Sequence, residues 1–267
     1  MQLLSIVTNT LLLTGSNRRS ASPTKTMGPA IIEGHNAPLP PKAHDSHVRV
    51  VVLSDTHGRH DELPILPKGD VLLHLGDVAN QGSLSHIRSF VQWVHKTQDY
   101  PEIVVIEGNH DRDRRHPDRI NLQEEYKDFI FLQDEYRELA GGRLKVFGAT
   151  WDSCEQDDYH QLDEGGDADI LLTHLNPYVR NGGHGWGGSV EITQTVKRNQ
   201  VPVHLFGHVH WGRGTRVLED ENNVMVNCAT AWNQPVVLDW DPVAKEATMI
   251  HCPKPGLVAT AGRIFVV

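Results

Sequence analysis

Val48-Arg49-Val50-Val51-Val52-Leu53-Ser54-Asp55-Thr56-His57-Gly58 sets the grammar of this chain: a short apolar run that closes on a polar motif. The arrangement returns at residues 71–75, followed by Gly76-Asp77, and at residues 103–106, followed by Glu107-Gly108-Asn109-His110-Asp111. Between the second and third runs, residues 84–95 read as an amphipathic helix with Leu84, Ile87, Val91 and Val94 roughly on one face. Strand, helix and strand in alternation predict an α/β core. Short, fully apolar strands suit a sheet covered on both faces.

The second half follows the same grammar. Residues 170–172 lead into Thr173-His174, residues 190–198 read as a helix, and residues 203–206 lead into Gly207-His208-Val209-His210. Between the halves, residues 129–132, 136–139 and 144–147 read as short strands, with Gly141-Gly142 as a turn. Residues 112–125 are charged and read as a loop with a short helix, and the acidic residues 157–167 as a surface loop. The tail reads as strands at 215–218, 224–226, 236–238 and 247–250. No repeat of 20–50 residues is visible.

The chain has 267 residues, 39% hydrophobic and 22% charged, which suits one substantial globular domain. Residues 1–46 are rich in Pro, Ser, Thr, Gly and Asn without a sustained period, so they read as a disordered leader ahead of a domain at 47–267. The apolar stretch at 3–13 is broken by Ser5, Thr8, Asn9 and Thr10 and lacks the basic flank of a secretory signal. Arg18 and Arg19, followed by Ser and Thr, leave an organelle transit segment as the alternative. No run reaches the roughly 20 apolar residues of a transmembrane helix, so no membrane partner is expected. The formal charge of -9, from 34 acidic and 25 basic residues, argues against dedicated nucleic-acid binding. It is compatible with a phosphate substrate, because bound cations supply positive charge locally. The three cysteines, Cys154, Cys228 and Cys252, fit neither a disulfide framework nor a thiolate zinc module. They read as reduced thiols of a cytoplasmic protein.

The chemistry gathers at the strand ends. Asp55 and His57 stand two apart just after a strand, where extended backbone would point both to one side. Asp77 ends the next strand, Asn109 and His110 the third, His174 a fourth, and His208 and His210 a fifth. In open α/β sheets, ligands collect beyond the carboxyl ends of the strands. Carboxylate, amide and imidazole donors without thiolate suit Mn, Fe, Zn, Ni or Co. They are too many for one tetrahedral ion. Two divalent ions about 3.5–4 Å apart, sharing one carboxylate, are the economical arrangement.

Asp55-x-His57, Gly76-Asp77, Gly108-Asn109-His110-Asp111, Thr173-His174 and Gly207-His208-Val209-His210 together resemble the calcineurin-like metallophosphoesterase superfamily in order and residue type, over residues 48–240. The runs Gly69-Asp70-Val71-Leu72-Leu73-His74-Leu75-Gly76-Asp77 and His204-Leu205-Phe206-Gly207-His208-Val209-His210, with Val226-Asn227-Cys228-Ala229, are similar to the metallophosphoesterase-domain-containing proteins related to cyclic nucleotide phosphodiesterases. The resemblance implies two mixed β-sheets packed as a sandwich flanked by helices. It implies one ion held by Asp55, His57 and His210, a second held by Asn109, His174 and His208, and Asp77 bridging the two. His110 would face the substrate as the acid for the leaving group.

Two departures stand out. Where many members carry Gly-Asp-x-x-Asp-Arg-Gly, this chain has Gly76-Asp77-Val78-Ala79-Asn80-Gln81-Gly82, without that Asp or Arg. This separates it from protein phosphatases. After Thr173-His174 stands Leu175-Asn176-Pro177 where relatives often carry Gly-Pro-Pro, which should reshape the pocket rim.

Other residues have plainer readings beside functional ones. His74 and His204 lie inside apolar runs and read as core histidines; His60 and His116 read as surface residues. His184 and Trp186, in a glycine-rich loop, have an alternative reading as substrate contacts. Arg112, Arg114 and Arg115 read as a solvated loop or as a phosphate clamp. Asp111 would orient His110 or cap a turn.

The functional expectation is a two-metal phosphodiesterase acting on a small phosphodiester, with cyclic nucleotides favoured by the resemblance and Mn favoured as the metal. A hydroxide activated by the ions would attack phosphorus while His110 protonates the leaving alkoxide. A phosphomonoesterase and a low-activity metal-binding scaffold are the rivals, and the intact ligand set with His110 weighs against the scaffold. Oligomeric state is not legible.

Overall fold

The computed structural model describes residues 39–113, 120–156, 167–179, 187–212, 214–217, 223–230 and 234–251. The first half of the chain supplies β1 (Val48–Leu53), β2 (Val71–His74), helix α1 (Leu84–Thr97), β3 (Glu102–Val105), α2 (Leu122–Glu125), β4 (Ile130–Phe131), β5 (Glu135–Leu139) and β6 (Leu144–Gly148). Then come α3 (Trp151–Gln156), β7 (Ile170–Leu172), α4 (Val190–Arg198) and β8 (Val203–Phe206). The tail supplies β9 (Gly214–Val217), β10 (Val224–Asn227), β11 (Val236–Asp241) and β12 (Glu246–His251).

Among the described residues, the strands form two six-stranded sheets, ordered β12-β11-β1-β2-β3-β4 and β5-β6-β7-β8-β10-β9. In the first sheet β1 to β4 run parallel while β11 and β12 are antiparallel additions. In the second, β6, β7, β8 and β10 run parallel between antiparallel β5 and β9. Both sheets are therefore mixed.

Side-chain alternation along each strand sorts the core into layers. Val50, Val52, Val71, Leu73 and Val104 face Val146, Ile170, Leu172, Val203 and Leu205 in the cluster between the sheets. The opposite face of the first sheet, with Val51, Leu53, Leu72 and Val105, packs on Ile87, Phe90 and Val94 of α1. The outer face of the second, with Phe147, Leu171 and Phe206, packs on Ile192 and Val196 of α4. Strands buried on both faces favour apolar residues, which explains why β1 is apolar at every position but Arg49 and buried throughout. The sandwich expected from the resemblance is the architecture found.

Three local differences have physical causes. Trp151–Gln156 forms a helix with no amphipathic signature; Trp151 and Cys154 turn inward from a single short face. His60 is buried rather than exposed, because its ring lies against Phe90 and Trp93 with Nε2 3.1 Å from Ser89 Oγ on α1. Residues 39–46 touch the domain. Lys42 Nζ pairs with Asp70 at 2.8 Å, the Pro40 carbonyl accepts from Arg49, and Leu39 packs on the α1 side of the first sheet. His116, Arg114, Arg115, His184, Trp186 and most of the acidic loop lie outside the described residues. No helix among the described residues is long and apolar enough to cross a membrane.

One ion pair crosses the heart of the first sheet. Arg49 of β1 faces Asp239 of β11 in register and donates to both carboxylate oxygens at 2.8 Å from a nearly buried position. Asp239→Ala would strand the guanidinium in the sheet. It should lower the unfolding free energy by about 3 kcal/mol, read from urea denaturation midpoints.

Candidate metal centre

The loops beyond the carboxyl ends of β1, β2, β3, β7 and β8 meet at one place. Two groups of side chains converge there, each with its donor atoms within 4.8 Å of one another: Asp55, His57 and His210, and Asp77, His174 and His208. In the first group, His210 Nε2 lies 3.1 Å from Asp55 Oδ1 and 3.3 Å from His57 Nε2. In the second, His174 Nε2 lies 3.2 Å from Asp77 Oδ2. Asn109 joins this group, with Oδ1 3.0 Å from His208 Nδ1. Asp77 Oδ2 is also 3.7 Å from His57 Nε2, so one carboxylate oxygen is common to both groups.

The convergence of Asp55 and His57 was expected from extended backbone. The structure overturns that reason. Asp55, His57, Asp77 and His208 have φ of 58°, 48°, 56° and 66°, in the left-handed region. His210 begins a 3-10 turn, and the two histidines of Gly207-His208-Val209-His210 go to different groups. Asp55 and His57 share a group because the chain coils there, not because it runs straight.

Each left-handed residue is tethered through its own N–H. Asp55 donates to Gly76 O at 3.0 Å and His57 to Asp77 O at 2.9 Å. Asp77 donates to Asp111 Oδ2 at 2.8 Å, and His208 to the Asp55 carboxylate at 3.1 Å. Asp111 is fully buried and also accepts from Ala79 and Gly108, both at 2.8 Å. Its carboxylate therefore bolts the third motif to the second instead of turning toward the His110 ring. Two glycines are needed where backbones crowd: a Cβ at Gly108 would collide with the Asp77 carboxylate, and one at Gly207 with Ser54 Oγ.

The electrostatics ask for a cation. His174 is fully buried and its Nδ1 donates to Leu75 O at 2.6 Å. A neutral ring would then turn an Nε2 lone pair toward Asp77 Oδ2, and that nitrogen makes no well-formed hydrogen bond. Two lone pairs so close repel unless a proton or a metal ion lies between them. Burial alone would drive His174 neutral, but Asp77 and then Asp55 outweigh it and push the ring up to about 9. Burial raises Asp55 and Asp77, yet the charge of His174 beside them holds both below the usual carboxylate range. Burial keeps His57 and His208 low, in the neutral form that ligates metals. His57 Nδ1 is 3.2 Å from Ala79 O, which leaves Nε2 turned to the group; this is the outer contact typical of ligating histidines. The donor set thus fits divalent ions.

Around this centre, Trp151 was not singled out by sequence. Its ring centroid lies 5.6 Å from that of His174 and 5.3 Å from that of His208. The available signal was its position just beyond β6, at the same edge as the other motifs. His110 donates its N–H to Asp77 Oδ1 at 2.8 Å, and its ring stands edge-on to His57 with centroids 5.0 Å apart. Arg112 is taken up by Glu107 at 2.7 Å and by Asp152, so it ties β3 to α3. The phosphate-clamp reading does not fit it.

The comparisons agree with this geometry. Residues 48–212 match the family model described as calcineurin-like phosphoesterase. Metallophosphoesterase domain-containing protein 1 of Homo sapiens is 29% identical over 254 residues, covering 77% of this chain and 73% of that one. A UPF0046 protein of Caenorhabditis elegans is 28% identical over 218 residues, covering 69% and 76%. Among solved structures, the 5'-nucleotidase of Candida albicans SC5314 is 14% identical with a TM-score of 0.45, over 72% of this chain and 46% of that one, a likeness too loose to carry chemistry. With more than half its length matched by the family model and two donor groups set at the strand ends, the chain belongs to the calcineurin-like phosphoesterase family.

Proposed function

We propose that this protein is a two-metal phosphodiesterase in which Asp55, His57 and His210 hold one ion, Asn109, His174 and His208 hold the other, and Asp77 holds both. The observation that carries this reading is the position of Asp77 Oδ2, 3.2 Å from His174 Nε2 and 3.7 Å from His57 Nε2. When bound, the ion pair would clamp the phosphate, offset its charge and lower the pKa of a water for attack.

The protein's own groups do the rest. Asp111, through the three amides it accepts, keeps the Asp77 and Asn109 loops at fixed separation. Asp77 Oδ1, turned away from the shared oxygen, fixes the backbone of His110. Gly82 N–H caps the His110 carbonyl at 2.8 Å. The imidazole so placed beside His57 would hand its proton to the departing alkoxide. Mn, Zn, Fe, Ni and Co all suit these donors, and Mn is the favoured activator. Kinship with the metallophosphoesterase-domain-containing proteins favours a small phosphodiester such as a cyclic nucleotide. Cys154 and Cys228 are buried thiols, which suits a reducing, cytoplasmic setting.

Metal-stripped protein given Mn²⁺ should cleave bis-p-nitrophenyl phosphate faster than p-nitrophenyl phosphate. Faster monoester cleavage would make it a phosphomonoesterase, and no turnover with two ions bound would make it a scaffold. His110→Ala should cost about 10²–10⁴-fold in kcat on the diester while elemental analysis still finds the wild-type metal content. Unchanged kcat would remove His110 from the acid role.

A further inference from the structure

Besides His60, which packs on α1, two histidines outside the ligand set stand inside the core, within the strands themselves. His74 closes β2 and His204 lies in β8, 1% and 0% exposed. Each sits on the outer face of its sheet, His74 edge-on to Phe90 of α1 with centroids 4.9 Å apart, and His204 on the side of Phe206, 5.2 Å away. Leu or Phe would fill either place without the cost of burying an imidazole. Burial drives both rings down to about 3, so both are neutral. Each meets a hydroxyl through Nε2 and leaves Nδ1 without a partner among the described residues.

The two hydroxyls belong to the ligand-bearing loops. His74 Nε2 lies 3.0 Å from Oγ1 of Thr56, the residue between Asp55 and His57. His204 Nε2 lies 2.8 Å from Oγ1 of Thr173, the residue before His174. The Thr173 hydroxyl donates to Leu175 O at 2.7 Å, so it accepts from His204, whose proton is therefore on Nε2. The bare Nδ1 is then an unpaired acceptor, the cheaper of the two ring atoms to leave unmet. Both sheets repeat one device. β2 is the parallel neighbour of β1, which leads into Thr56, and β8 that of β7, which leads into Thr173. A buried polar ring that a Leu could replace, spent twice on a threonine beside a ligand, breaks the rule for cores in the way functional sites do.

We propose that His74 and His204 are positioning residues, each hydrogen-bonding the threonine of one ligand loop and so each serving one ion: His74 the Asp55–His57 side, His204 the His174 side. This rests on the two-ion reading above.

The test is calorimetric titration of the metal-stripped full chain with Mn²⁺, with His57→Ala and His208→Ala marking which binding step belongs to which group. His204→Phe and Thr173→Val should each weaken the step marked by His208→Ala about 10-fold or more, and leave the other at its wild-type value. His74→Phe and Thr56→Val should do the converse. His204→Gln and His74→Gln, which keep a hydrogen-bonding amide near the same place, should recover most of the loss. The threonine variants keep the volume of the site and serve if a phenylalanine variant does not fold, with thermal melting of the metal-free chain as the check. Wild-type affinities in all the variants, or equal weakening of both steps by each, would overturn the proposal. A wild-type chain that binds fewer than two ions would instead overturn the two-ion reading, and this inference with it.

Discussion

Four of the residues at the centre, Asp55, His57, Asp77 and His208, hold a left-handed backbone that side-chain-bearing residues avoid. Each such residue costs about 1–3 kcal/mol, and persists only where the surroundings over-determine it. Here the surroundings are hydrogen bonds between motifs far apart in the chain. Gly76 holds Asp55, Asp77 holds His57, Asp111 holds Asp77, and the Asp55 carboxylate holds His208. The strain of each loop is thus offset by a neighbouring loop, and the ends of β1, β2, β3 and β8 form one unit.

The sandwich exists in a form that permits this. Parallel neighbours β1, β2 and β3 in one sheet, and β7 and β8 in the other, deliver their carboxyl ends to the same edge. Both outer faces are covered by helices, so the strands can be largely apolar while the ion-binding chemistry stands in the loops. The buried Asp111 carboxylate then sets the spacing of the Asp77 and Asn109 loops, while backbone carbonyls of Leu75 and Ala79 aim the rings of His174 and His57. His174, wedged between Asp55 and Asp77, shows the electrostatic consequence: two buried carboxylates that need positive charge beside them.

Much of this was legible in the sequence, for a physical reason. A strand buried on both faces reads as an unbroken apolar run, and its end is marked where polarity returns. Val190–Arg198 and Val203–Phe206 are found where that pattern places them. The second sheet was not legible from periodicity and came from family resemblance, and the strand order was not read from the sequence at all, because pairing between distant segments leaves no local trace. The convergence of Asp55 with His57 was expected for a wrong reason, since positive φ at non-glycine residues is dictated by tertiary hydrogen bonds. His74 and His204 illustrate the same limit. An apolar context marked them as core, which they are, but the hydroxyls they meet lie 18 and 31 residues away in sequence. Asp111 and Trp151 acquire their roles in the same way, through partners that only the fold brings near.

The site as proposed depends on Asp77 joining two ions through one carboxylate. The most direct measurement is the metal content per chain of wild-type protein and of Asp77→Asn after equilibration with Mn²⁺, by elemental analysis, with circular dichroism to establish that the variant is folded. The wild type should hold about two ions and folded Asp77→Asn should lose both, because the amide withdraws a charge that each ion needs. A folded variant that loses one ion and retains the other at full occupancy would contradict it.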